Sequence, residues 1–175
     1  MLEFTSFIIF VIVAFVLMIG LFYGLIYGAM YQRLPTRKLK KIIKLGNLNP
    51  NMTVFDLGAG FGRIMFEAAK SGATVIGYEI DPAKVFWINQ QIKKKIFTSD
   101  QVLHVDVRKE NLLNANLAEA DLVYCYLAPQ LMQRLGEKAV KEMRKGSRII
   151  SVEHKINNLT PTFEDVKDKI YVYQF

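Results

Sequence analysis

The acids of this chain fall where they could hold a cationic or hydroxyl-bearing ligand. Asp56 closes the apolar run Met52–Asp56, and glycines 58, 60 and 62 follow it in VFDLGAGFGR, residues 54–63. Glu79 closes the run ATVIGYE, and Asp106 follows QVLHV. Glycines let backbone N–H groups approach a ligand closely where a side chain would block it. The spacing G-x-G-x-G is not the dinucleotide fingerprint G-x-G-x-x-G, and the Gly-Lys-Ser/Thr of a phosphate-binding P-loop is missing. A carboxylate directly before such glycines suits an ammonium or a hydroxyl better than a pyrophosphate.

The elements that must position these acids alternate in type. Met52–Asp56, Ala73–Glu79, Gln101–Val105, Asp121–Tyr126 and Ser147–Glu153 read as strands, with Lys169–Phe175 closing and Phe163–Lys167 a weaker candidate. Helices are expected after the glycine turn through Ser71, from Asp81-Pro82 to about Ile96, and from Ala128-Pro129 to about Arg144. Asn111–Ala120 reads as a loop or short helix. This alternation predicts an α/β, Rossmann-like, doubly wound and mostly parallel sheet with helices on both faces. Ligands bind at the carboxyl ends of such strands, so Asp56, Glu79 and Asp106 are expected to converge on one crevice.

The charge is unevenly spread. The net +7 could suggest nucleic acid, yet from Leu45 onward seventeen basic residues face fifteen acids. The excess sits in Arg33, Arg37, Lys38, Lys40, Lys41 and Lys44, a local collar with no acid among them. No nucleic-acid partner is expected from so local a charge. The single cysteine, Cys125, excludes an intramolecular disulfide framework.

Upstream of the collar, Glu3 is the last charge before Arg33. That uncharged run exceeds the roughly 20 residues a helix needs to cross a bilayer. The acidic start and the basic residues after the span do not match a cleaved signal peptide. Residues 1–32 are thus expected to form one N-terminal transmembrane helix, 33–46 a basic juxtamembrane helix, and 47–175 the α/β domain. The collar places that domain on the cytoplasmic, inner face and could hold anionic lipid headgroups. Tyr23, Tyr27 and Tyr31 lie toward that interface. Gly20, Gly24 and Gly28 share one helix face, a spacing that would let the helix pack on a second copy or a membrane partner.

With these residues in view, the chain from about Pro35 to its end resembles the seven-strand S-adenosylmethionine-dependent methyltransferases. The resemblance rests on Asp56-Leu57-Gly58-Ala59-Gly60-Phe61-Gly62, on Tyr78-Glu79-Ile80-Asp81 and on Asp106-Val107. It implies S-adenosyl-L-methionine as cofactor, with Gly58, Ala59, Gly60 and Gly62 cradling its methionine and ribose portions. It further implies Glu79, with Ile80 beside it, on the ribose hydroxyls. Asp106 would take the adenine amino group beside Val107, and Asp56 the amino-acid end. No metal is implied.

The segments DLGAGFGRI, YEID, DLVYCYL and RIISVEHKI, preceded by LPT and a basic helix, are similar to a narrower group. These are the small archaeal protein-lysine methyltransferases and their membrane-anchored mitochondrial relatives, some of which modify inner-membrane proteins. That fingerprint often carries Asp where this chain has Phe61. Tyr126-Leu127-Ala128-Pro129 replaces the Asn/Asp-Pro-Pro-Tyr of enzymes acting on adenine or glutamine amide nitrogens.

The expectation is methyl transfer to an acceptor nitrogen, a protein lysine foremost, on a protein substrate that includes membrane proteins. Tyr124, Tyr126 and His154 are expected to line the acceptor channel, which would lower the lysine pKa by desolvation without a dedicated base. Two alternatives stay open. One is a lipid or quinone acceptor at the membrane; the other is a non-catalytic cofactor-binding scaffold.

Overall fold

A computed structural model describes residues 2–26, 33–94 and 104–175. The chain divides into two compact units, 1–32 and 33–175. In the first, α1 (Leu2–Ile26) is one continuous helix of 25 residues whose side chains from Phe7 to Ile19 are exposed and, apart from Ala14, large and apolar. Among the described residues, no helix is long and apolar enough to cross a membrane. The part of α1 whose side chains are described, 5–20, falls short of the roughly 20 residues a span requires. The transmembrane helix expected from the sequence is therefore not borne out by these residues. Of the expected interfacial tyrosines and glycine stripe, Tyr27, Tyr31 and Gly28 lie outside the described residues.

The second unit is built on a seven-stranded sheet. Its strands are β1 (Thr53–Leu57), β2 (Thr74–Glu79), β3 (Val105–Lys109), β4 (Leu122–Cys125), β5 (Arg148–Val152), β6 (Phe163–Asp165) and β7 (Ile170–Gln174). Their spatial order is β3-β2-β1-β4-β5-β7-β6. β1 to β5 run parallel, while β7 pairs antiparallel with both β5 and β6. The order reverses at β1, which lies between β2 and β4, and a ligand crevice opens at such a switch point. The central strands read as apolar runs because both faces are covered, and all four residues of β4 are buried.

Helices cover both faces. α2 (Thr36–Gly46), α3 (Arg63–Ala69) and α4 (Pro82–Lys93) pack on one face, where Leu39, Ile42, Met65, Ala68 and Ile88 join a single buried cluster. α5 (Pro129–Glu142) covers the other with Met132, Leu135 and Ala139, together with two 3-10 turns at 112–114 and 117–119. α4 starts where expected: Asp81 accepts the Ala83 N–H at 2.9 Å, and Pro82 takes the first helical position. The basic segment 33–46 is not a separate collar, since α2 is docked into this core.

Ion pairs lock α2 down. Asp168 is fully buried and receives Arg37 and, at 2.9 Å, Lys41, which also pairs with Asp165. Lys38 and Lys169 both meet Glu153, at 3.1 and 2.5 Å. Of the collar cations expected to face lipid headgroups, Arg37, Lys38 and Lys41 therefore serve the fold, while Lys40 and Lys44 remain exposed.

The third strand departs from expectation. The run QVLHV predicts a strand ending at Val105, whereas β3 begins there and continues through VDVRK. β3 is an edge strand with alternate residues exposed, so its sequence alternates instead of running apolar.

Candidate active site

The site grows from the loop between β1 and α3. Asp56 is the fourth residue of β1 and is 2% exposed, with one carboxylate oxygen accepting the Met65 N–H at 3.1 Å. It thereby ties the strand end to the first turn of the helix after the glycines. Burial, with the Glu79 charge adding to it, raises the Asp56 carboxyl to about 7.

The loop itself is stitched to β2. Gly58 and Ala59 donate their N–H groups to the Tyr78 carbonyl, at 2.9 and 3.0 Å. Gly58 and Gly62 hold φ of +79° and +76°, which L side chains rarely adopt. A Cβ at Gly58 would stand 2.8 Å from Leu127 Cδ2, and one at Gly62 equally close to Phe66 Cε2.

Glu79 is the clamp of this loop. One oxygen accepts the Gly60 N–H at 2.8 Å, and the other accepts the N–H groups of Ile80 and Asp81 at 3.0 Å each. A carboxylate offers about four lone-pair sites, so roughly one remains for a ligand hydroxyl. The fit to S-adenosylmethionine is good here: a cradle closed to side chains, a buried acid beneath it and a near-saturated carboxylate at its edge.

Asp106 and Val107 do not join it. Asp106 pairs with Ile76, three positions before Glu79, which is roughly 10 Å along a strand. Its side chain is 64% exposed and lies 3.7 Å from Arg108. Val107 is buried in the core cluster. The carboxyl end of β3 is Lys109, opposite Glu79, and the next N–H, from Glu110, donates to the Glu79 carbonyl at 3.0 Å. Glu110 is therefore the acid beside the crevice, and the expectation had Asp106 in its place. The alternation V-D-V-R-K is the signal that places β3, and with it Glu110.

The expected acceptor residues separate. Tyr124 is fully buried under α2, with its hydroxyl donating to the Ile42 carbonyl at 3.1 Å. A Cβ on Gly46 would collide with that hydroxyl, and desolvation holds the phenol far above its ordinary pKa. Tyr124 is a core residue that seats α2, not a channel wall. Tyr126 follows β4 at the carboxyl end of the sheet and is half-buried. Burial and then the Glu153 charge raise its phenol, so it stays neutral near pH 7. His154 is half-buried after β5, its carbonyl accepting the Ser151 hydroxyl at 3.0 Å. Phe61 projects from the cofactor loop, 40% exposed, and meets the Trp87 ring edge-on at 6.4 Å.

A sheet of this order, with a glycine cradle after β1 and buried acids on β1 and β2, defines an S-adenosylmethionine-dependent methyltransferase. The family model for the ANTKMT methyltransferase domain matches residues 56–163, and the chain belongs to that family. It is similar to a protein-lysine N-methyltransferase of Saccharolobus islandicus, 26% identical over 73% of this chain and 78% of that protein. It is also similar to an ATP synthase lysine N-methyltransferase of Xenopus laevis, 25% identical over 79% of this chain. There the match spans 60% of the relative, less than two thirds of its length. Among solved structures, an RNA methyltransferase of Salinibacter ruber in complex with S-adenosyl-L-homocysteine superposes with a TM-score of 0.74 at 26% identity. That superposition covers 82% of this chain and 93% of the other.

Proposed function

We propose that this chain methylates the ε-amino group of a lysine on a protein substrate, at a membrane to which α1 holds it. The acceptor class rests on the likeness to protein-lysine methyltransferases along nearly three quarters of the chain. Bound S-adenosylmethionine supplies an electrophilic methyl on its sulfonium. The acceptor nitrogen takes that methyl as the carbon–sulfur bond breaks, leaving S-adenosylhomocysteine and a proton to be released.

The chain's own residues align and desolvate. Gly58, Gly60 and Glu79 fix the donor end, and most of the rate gain comes from holding it in line with the acceptor. A lysine amine has a free pKa near 10.4 and must shed a proton before it attacks. Half-buried Tyr126 and His154 border the carboxyl ends of β4 and β5, and an apolar rim there lowers that pKa by desolvation.

The anchoring is supported by the charge-free run between Glu3 and Arg33 followed by basic residues, which favours the catalytic unit on the inner face. Confinement to one bilayer would raise the effective concentration of a membrane substrate without new contacts. The deciding experiment incubates membranes with the full chain and labelled S-adenosylmethionine and locates the label by mass spectrometry. Label on lysine supports the reading. Label on lipid or quinone replaces it with the lipid acceptor, and label on RNA with a nucleic-acid one. Cofactor binding without label on any acceptor makes the chain a scaffold.

A further inference from the structure

The outer surface of the α2–α3–α4 layer joins bulky aromatic side chains to lysines. α2, α3 and α4 share one buried cluster, so their outward faces form one surface on one side of the sheet. On α4, Phe86 and Trp87 are 65% and 49% exposed, and Lys93 is exposed one to two turns further on. Phe61 of the cofactor loop stands edge-on to Trp87. On α2, Lys40 and Lys44 face outward, opposite the buried Leu39 and Ile42. Arg63 ties the two regions together, donating to the Leu34 carbonyl and to the Thr36 hydroxyl at 3.2 Å, so the head of α2 lies beside the cofactor loop.

The acids near this surface are already engaged. Glu67 pairs with Lys70 at 2.6 Å, and Asp81 caps α4 while pairing with Lys84. What is left is a face of helix backs, aromatic and cationic. Aromatic rings with lysines flanking them are the composition of helices that lie in the headgroup region.

We infer that this face seats on an anionic phospholipid surface through Phe61, Phe86 and Trp87, with Lys40, Lys44 and Lys93 against the headgroups. The inference rests on the membrane reading above, and the chain's α1, whose exposed side chains include Phe7, Phe10 and Leu17, makes lipid the partner of choice over another macromolecule. Because Phe61 belongs to the loop that cradles the cofactor, the seated face sets the mouth of the site at the interface. Acceptors at headgroup depth then reach it directly.

Trp87 is the chain's single tryptophan and reports on its own surroundings. The full chain is reconstituted into mixed phosphatidylcholine and phosphatidylglycerol vesicles, with and without brominated acyl chains. Emission shifted to shorter wavelength and quenched by the brominated lipid supports the inference. Phe86→Glu should abolish both changes while S-adenosylhomocysteine binding stays as in wild type. Trp87 quenched by aqueous iodide and untouched by brominated lipid, in a chain that has entered the vesicles, overturns the inference and leaves the anchor standing. Quenching by added RNA instead of lipid overturns it in favour of a nucleic acid. A chain that does not enter vesicles at all overturns the anchor together with this face.

Discussion

The carboxylate of Glu79 accepts the backbone N–H of Gly60 at 2.8 Å, across nineteen residues of chain. Its second oxygen binds the N–H groups of Ile80 and Asp81, so one side chain sets both the loop after β1 and the turn after β2. Glu79→Gln keeps one acceptor oxygen and turns an NH₂ group toward backbone donors. The affinity for S-adenosylhomocysteine should fall roughly tenfold to a hundredfold, as expected for leaving a buried donor unmatched. Isothermal titration of the purified protein measures it, and an unchanged affinity would refute the clamp.

Asp56 makes the cofactor-free protein sensitive to pH. Its carboxyl lies at about 7 in the folded state, against 3.8 for the unperturbed group, because burial disfavours the charge. Between those values the folded state holds a proton that the unfolded chain has lost. Stability contributed by this group is therefore present at low pH and is lost as pH rises from about 4 to about 7. Asp56→Asn removes the titration while its amide oxygen can still accept the Met65 N–H. The variant should show a flatter stability profile across that window and a higher urea midpoint than wild type at pH 8. Parallel wild-type and variant profiles would rule Asp56 out as the titrating group.

Much of this site is legible in the sequence because its chemistry is local. Asp56 and the glycines are near-successive residues, and Glu79 ends an unbroken apolar run, so both strand ends stand out. β3 does not, because an exposed edge strand alternates and QVLHV beside it looks more like a buried strand. Tyr124 departs from expectation for a different reason. Along a strand, side chains at 124 and 126 fall on the same face, so their neighbourhood depends on how far each lies from the strand end. Only the packing of α2 distinguishes them: Ile42 and Gly46 cover Tyr124 and leave Tyr126 at the rim. The role of the basic segment is likewise set by partners more than a hundred residues away, Glu153 and Asp168.

The true position of β3 separates two acids. Glu110 follows the carboxyl end of the strand and hydrogen-bonds Glu79 through its backbone, while Asp106 is solvent-facing and pairs with Ile76, three positions before Glu79. Asp106→Ala should leave S-adenosylhomocysteine affinity within about twofold, the effect expected of an exposed pair worth little. Glu110→Ala should weaken it by roughly tenfold, the loss of one ligand hydrogen bond. The reverse ranking in a binding titration would restore Asp106 to the site.

Tyr124 and Tyr126 call for opposite outcomes from the same substitution. The Tyr124 hydroxyl is buried against the Ile42 carbonyl and reaches no solvent. Tyr124→Phe should therefore cost about 1 kcal/mol of stability, lowering Tm by roughly 2–4 °C in a chain of this size, with kcat and cofactor affinity unchanged. Tyr126 lies at the rim with His154, so Tyr126→Phe and His154→Ala should each lower turnover on a lysine acceptor while S-adenosylhomocysteine binding holds. Thermal melts and single-turnover methylation on the same preparations separate the effects. Full turnover in both rim variants would remove them from the acceptor path, and a turnover loss in Tyr124→Phe without a change in Tm would return Tyr124 to it.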